Sequence, residues 1–141
     1  MNIDIQRTIY ETLLNSSDLS QLLASFTYSN GATVSAVFND LPQSDDNSVF
    51  PCVVIDAQID NALNTDTTDG FDSTVLIHTW SVQPSNVEVS AIQDVIYSLL
   101  HRKKASYISG ISCELGEIMR DPDGISRHGV QRFRIFYDKV N

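Results

Sequence analysis

Residues 89–100 carry a helical stripe, and that stripe sits between stretches that repeat every second residue. Val89, Ile92, Val95, Ile96, Leu99 and Leu100 return at three- and four-residue intervals, the spacing that lines one face of an α-helix. Ser85-x-x-Glu88 ahead of them matches a capping box, and Arg102-Lys103-Lys104 follows where positive charge complements the helix dipole. On the N-terminal side, Thr74 to Ser81 alternates, with Val75, Ile77 and Thr79 on one face and Leu76, His78 and Trp80 on the other. On the C-terminal side, Ile111, Cys113, Leu115 and Met119 alternate along one arm of a hairpin, and Phe133, Ile135 and Tyr137 along the other. Asp121-Pro122-Asp123-Gly124 supplies the turn between these arms. One helix lying between strands of half-buried pattern predicts a helical layer over a sheet.

The N-terminal half adds to this layout. Ile5, Ile9, Leu13 and Leu14 predict a first helix over residues 3–15, and Ser17 or Asp18 can cap a shorter one over Leu19 to Ala24. Asn30-Gly31 marks a turn before a short strand, Val34 to Phe38. Pro51 stands at the entry to Cys52-Val53-Val54-Ile55, whose continuous apolar run reads as a strand buried on both faces. Residues 41–48 and 60–72 read as polar loops. The order is α(α)βββαββ: an α+β fold with a small, mostly antiparallel sheet packed on two main helices, in a single domain over residues 1–141.

Charge limits what such a domain can bind. Residues 8–101 hold 12 acids and no Lys or Arg, whereas residues 102–141 hold 8 basic and 5 acidic groups. With a net charge of −9, the surface is ill-suited to gripping phosphates all over. Two patches of opposite sign favour head-to-tail association, the kind that closes into rings. No apolar run approaches the ~20 residues that span a bilayer, and Met1-Asn2-Ile3-Asp4 does not open a signal sequence, so a soluble, unexported chain is expected. Cys52 and Cys113, alone and far apart, read as free thiols in a reducing compartment.

No constellation in the sequence supports catalysis. His78, His101 and His128 share no short spacing with one another or with a cysteine, and the six glycines are scattered singly. Asp66-Thr67-Thr68-Asp69-Gly70-Phe71-Asp72 is rich in oxygen but departs from a calcium-loop spacing, which leaves a solvated loop as the simpler reading. Arg132-Phe133-Arg134-Ile135-Phe136-Tyr137 reads as a two-faced strand rather than a nucleic-acid surface. The rival to a structural role is a soluble binding module, or an enzyme using Asp56, Asp60 and a metal, which requires a regular strand through Asp60. No cofactor and no metal are expected.

Several pieces in sequence order resemble the tail-completion, or tail-terminator, proteins of long-tailed bacteriophages. They are Ile9-Tyr10-Glu11-Thr12-Leu13-Leu14, Val34-Ser35-Ala36-Val37-Phe38 ahead of Pro42, and Phe50-Pro51-Cys52-Val53-Val54-Ile55. Leu76-Ile77-His78-Thr79-Trp80-Ser81, the helix Ile92 to Leu100, Arg120-Asp121-Pro122-Asp123-Gly124 and Arg127 to Arg134 continue the series. The resemblance implies a structural protein at the head-proximal end of the virion tail, assembled in the host cytoplasm. Its subunits would form a ring, usually of six, that stops growth of the tail tube and meets the head-completion protein while genomic DNA passes through. On that reading Asp45, Asp46, Asp66, Asp69 and Asp72 are the expected channel-lining or interface acids, and Arg132 and Arg134 the expected interface bases. Neighbouring subunits are expected to join through a sheet edge and exposed apolar area, because unpaired strand edges template further pairing.

Overall fold

The computed structural model describes residues 3–39, 49–64, 69–103, 108–122 and 126–138. Two helices, α1 (Ile3–Leu14) and α2 (Ser17–Ser20), lead into three short strands: β1 (Ser25–Thr27), β2 (Thr33–Ser35) and β3 (Val37–Phe38). Four long elements of sheet surround the central helix in the order β4 (Cys52–Asn64), β5 (Asp69–Ser81), α3 (Val87–Leu100), β6 (Ile108–Arg120) and β7 (Arg127–Asp138). The main sheet runs β3-β4-β5-β7-β6, parallel between β3 and β4 and antiparallel elsewhere. The α+β layout is therefore the one the residue pattern predicts. The N-terminal half holds more strands than expected.

All three helices lie on one face of the sheet. Ile5, Ile9 and Leu13 of α1 and Leu19 of α2 pack with Ile92, Ile96 and Leu100 of α3 over Val53, Ile55, Val75, Ile77, Phe133 and Ile135. Each such side chain taken fully from water contributes about 1.5–3 kcal/mol, so this layer is the main source of stability. Gly129 lets α3 approach the sheet: a Cβ there would lie 2.5 Å from Gln93 Nε2 and 2.7 Å from Val89 Cγ1. On the opposite face a smaller cluster of Ala36, Phe38, Val49, Cys52 and Val54 packs with Phe26, Phe50 and Trp80. The run Cys52 to Ile55 is thus buried on both faces, as its unbroken apolarity predicts.

Several local expectations are corrected. The strand read over Val34 to Phe38 breaks at Ala36 into β2 and β3, and β1 pairs with β2 through the Asn30-Gly31 turn, where Gly31 takes φ +89°. The short second helix is Ser17–Ser20, and Ser16 caps it by accepting from the Leu19 amide. Asn86, not Ser85, is the N-cap of α3 and makes no side-chain cap bond. Glu88 accepts instead from the Ser81 hydroxyl at 2.7 Å, tying the helix start to the end of β5. The largest correction concerns residues 60–72. Residues 60–64 and 69–72 are strand rather than loop, because β4 continues to Asn64 and β5 already begins at Asp69, while residues 65–68 lie outside the described residues.

Candidate assembly surface

The helix-free face of the sheet carries most of the molecule's organised polar chemistry. Strand alternation places Asp72, Thr74, Leu76, His78 and Trp80 of β5 on it, beside His128, Val130, Arg132, Arg134 and Phe136 of β7. Arg134 holds Asp72 with two hydrogen bonds, Nε to Oδ1 at 2.9 Å and Nη2 to Oδ2 at 2.6 Å. Glu114, displaced by a bulge between Cys113 and Leu115, accepts from Arg132 Nε at 3.2 Å and lies 3.8 Å from Arg134 Nη1. The Arg134 guanidinium also sits 4.8 Å over the Phe136 ring. Its hydrogen bonds hold the Asp72 carboxyl below the usual carboxylate range.

At the covered end of this face, three rings stack. Trp80 and His128 are parallel with centroids 3.7 Å apart, and His128 Nε2 is 2.6 Å from His78 Nδ1. His78 Nε2 approaches Asp56 Oδ2 at 3.1 Å, off the hydrogen-bond direction. Burial, then the neighbouring His78, pushes the His128 pKa down. These two histidines are 50 residues apart, so no local spacing announced them; only the β5–β7 register brings them together.

Asp60 faces the other way. A bulge between Asp56 and Gln58 sends Asp56 to the helix-free face and Asp60 to the helix side, where Ser73, Gln58 and Tyr137 all donate to its carboxylate. Burial raises the Asp60 pKa, but these hydrogen bonds outweigh it and leave the value lowered. The regular strand that a paired Asp56/Asp60 metal site requires is therefore broken, and the two carboxylates diverge. Among the described residues no group of three or more His, Cys, Asp or Glu could hold a metal ion. Cys52 and Cys113 are free thiols, with Cys52 pushed up to about 12 by burial. An open depression of about 330 Å3 beside α1, lined by Gln6, Arg7, Tyr10, Glu11 and Asn39, gathers no reactive set. No helix among the described residues is long and apolar enough to cross a membrane.

Comparison with known proteins decides between structural and chemical roles. A family model described as Tail completion protein gp17 matches residues 7–138. This chain belongs to that family. A chain in a solved structure titled "Virion of native gene transfer agent (GTA) particle" shares the fold, with TM-score 0.75 at 14% identity over 93% of this chain and 92% of that one. No curated protein matches the sequence at a significant level. The Tail completion protein gp17 match makes this a structural protein of a phage tail rather than an enzyme.

The expected site residues are distributed unevenly. Asp45, Asp46 and Asp66 lie outside the described residues. Asp69 and Asp72 do not sit on a loop, as expected, but on β5, Asp69 exposed beside the hairpin tip and Asp72 locked to Arg134. Arg132 and Arg134 do point away from Phe133, Ile135 and Tyr137, yet both engage carboxylates of their own chain. A sheet edge with exposed apolar area was expected, but its residues were not named. Ile59 and Leu63 on β4 are 61% and 51% exposed, and Leu115 and Met119 on β6 are 41% and 37% exposed. Apolar residues at four-residue spacing within a polar strand were the available signal.

Proposed function

We propose that this protein closes the head-proximal end of the phage tail as a ring of identical subunits, six in number, that stops growth of the tail tube. The family match over residues 7–138 carries this reading. In it the ring meets the tail tube protein on one side and the head-completion protein on the other, and genomic DNA passes through without sequence-specific contacts. The long sheet supports the arrangement, since its two outer strands are different and a head-to-tail contact between unlike surfaces generates rings.

The charge of the helix-free face supports its facing the DNA. Asp56, Asp72, Glu114, Glu117 and Asp138 lie on it against Arg132 and Arg134, which leaves three negative charges per copy. Such a surface repels phosphates and lets a duplex slide. Asp72 stays among the proposed lining residues, and the others join Asp45, Asp46, Asp66 and Asp69 as candidates.

The test is to produce particles from a phage genome carrying a stop codon in this gene and to measure tails by negative-stain microscopy. Overlong or headless tails, restored to normal length by the protein supplied in trans, are expected. Normal-length tails on infectious particles overturn the proposal.

A further inference from the structure

Four exposed apolar side chains, Ile59, Leu63, Leu115 and Met119, lie on β6 at one edge of the sheet and on the part of β4 that runs beyond its short pairing with β3, all on the same, helix-free face. We infer that β6 of one subunit pairs antiparallel with β4 of the next, with Met119 opposite Ile59 and Leu115 opposite Leu63. This rests on the ring reading above and names the partner surface within it: a second copy of this chain.

Strand direction permits the pairing. β4 is antiparallel to β5, β5 to β7 and β7 to β6, so β4 and β6 run in opposite senses, and placing one copy's β6 beside the next copy's β4 continues the sheet antiparallel. The spacing matches too, because each edge has its two apolar residues four apart. In this register Asn61 meets Glu117, Ala62 meets Gly116 and Gln58 meets Arg120, so no like charges oppose one another.

Backbone hydrogen-bond direction agrees as well. At the edge of β4, Val53 on the helix side turns its amide outward to the Ala36 carbonyl. At the edge of β6, the Ile111 carbonyl accepts from the Arg102 amide, and the Cys113 amide donates to His101 Nδ1, again from helix-side residues. Helix-side residues therefore present their backbone groups to both free edges. In the inferred seam Asp60 with Ile118 and Ala62 with Gly116 exchange backbone bonds. The apolar pairs then fall at non-hydrogen-bonded positions, where opposite side chains approach most closely.

The covered ends of the two edges stay clear of the seam. Among the described residues, β3 meets β4 at Val53 and Val54, and the turn after α3 meets β6 at Ile111 and Cys113. The seam stretches of β4 and β6 lie at opposite ends of the sheet: across the strands, Ile59 lines up through Thr74 and Arg134 with Ser112, six ladder positions from Met119 because Glu114 is bulged out. Neighbouring copies are thus staggered by roughly 20 Å along the strands, at ~3.3 Å per residue. A stagger of one sense, repeated at each seam, is what a sheet needs to close into a tilted cylinder.

Engineered cysteines test the register in the full-length chain, with Cys113→Ser to remove the partly exposed thiol. Ile59→Cys with Met119→Cys, and Leu63→Cys with Leu115→Cys, are oxidised at high protein concentration and again in the presence of tail tubes. Non-reducing gels are expected to show ladders of linked subunits, at least tenfold stronger than for Ile59→Cys with Leu115→Cys. Thermal melts establish that each variant is folded. Assembled rings without that preference overturn the seam and leave the tail role standing. Register-specific ladders from a protein that never joins tail tubes uphold the seam and overturn the tail role. Monomer under both conditions overturns the seam.

Discussion

Arg134 spans Asp72 like a two-pronged clamp, Nε to Oδ1 and Nη2 to Oδ2, joining β7 to β5 beyond the apolar core. Bidentate geometry of this kind favours the ionised carboxyl, so Asp72 titrates below its ordinary range. The sign follows directly. A lowered carboxyl pKa adds stability that is complete above the unfolded value of about 3.9 and is lost as pH falls through the folded one. Asp72→Asn is expected to make the acid side of the stability profile shallower, measured by thermal melts between pH 2 and 7. An unchanged profile counts against the clamp.

Asp60 is held by three donors, and the Tyr137 hydroxyl is one of them at 2.9 Å. Tyr137→Phe keeps the buried ring stacked on Phe71 but removes that donor. The expected cost is about 1 kcal/mol, the net value of a typical hydrogen bond, read as a lowered urea midpoint with unchanged slope. Because the remaining bonds hold the carboxylate less strongly, Asp60 should titrate at higher pH in the variant, visible in side-chain carboxyl NMR shifts.

Gly129 and Gly116 form a controlled pair. A methyl on Gly129 meets Val89 Cγ1 and Gln93 of α3, whereas nothing lies within 4 Å of a Cβ at Gly116. Gly129→Ala overpacks the helix–sheet contact and should cost about 1–3 kcal/mol. Gly116→Ala has room and should leave the urea midpoint within error. Equal effects in the two variants contradict the close approach of α3 to β7.

The parts of this fold legible from residue order are those where burial imposes a period. The stripe from Val89 to Leu100 and the alternation of Phe133, Ile135 and Tyr137 each face the same core, and both were readable. The outer half of the β4–β5 hairpin was not. Asn61, Asn64, Asp69 and Asp72 look like loop residues, but backbone pairing with β5 and β7 and the Arg134 clamp hold them extended where no apolar pattern can report it. Glu88 likewise fits a capping box by spacing, yet the hydroxyl of Ser81 claims it. Contacts between distant strands, such as His78 with His128, leave no local trace at all.

His128 offers a pH readout of its own. Burial and His78 lower its pKa, outweighing the opposite pull of Asp121. The unfolded chain then binds the proton more readily, so stability falls as pH drops through the unfolded value of about 6.5 and stops falling below the folded one. His128→Gln cannot titrate and should flatten that segment of the profile. Imidazole NMR shifts should place the His128 midpoint below that of an unfolded control peptide; a midpoint at or above it contradicts the neutral, stacked ring.

If the helix-free face lines the DNA passage, charge reversal there should act on the genome rather than on folding. Glu117 is exposed on β6, and Asp138 is exposed at the end of β7, so lysines at both are expected to leave the melting temperature nearly unchanged. A ring carrying Glu117→Lys and Asp138→Lys exchanges repulsion of phosphates for attraction at every copy. Each new cation adds a counterion-releasing contact, so the drag on DNA should be strongest at low salt and weaken steeply as salt is raised. DNA release from complemented particles, followed by dye fluorescence at several salt concentrations, reads this out. Slowed release that recovers with salt supports a lumenal position. Wild-type release at all salt concentrations, from particles shown to contain the variant, places these residues away from the DNA.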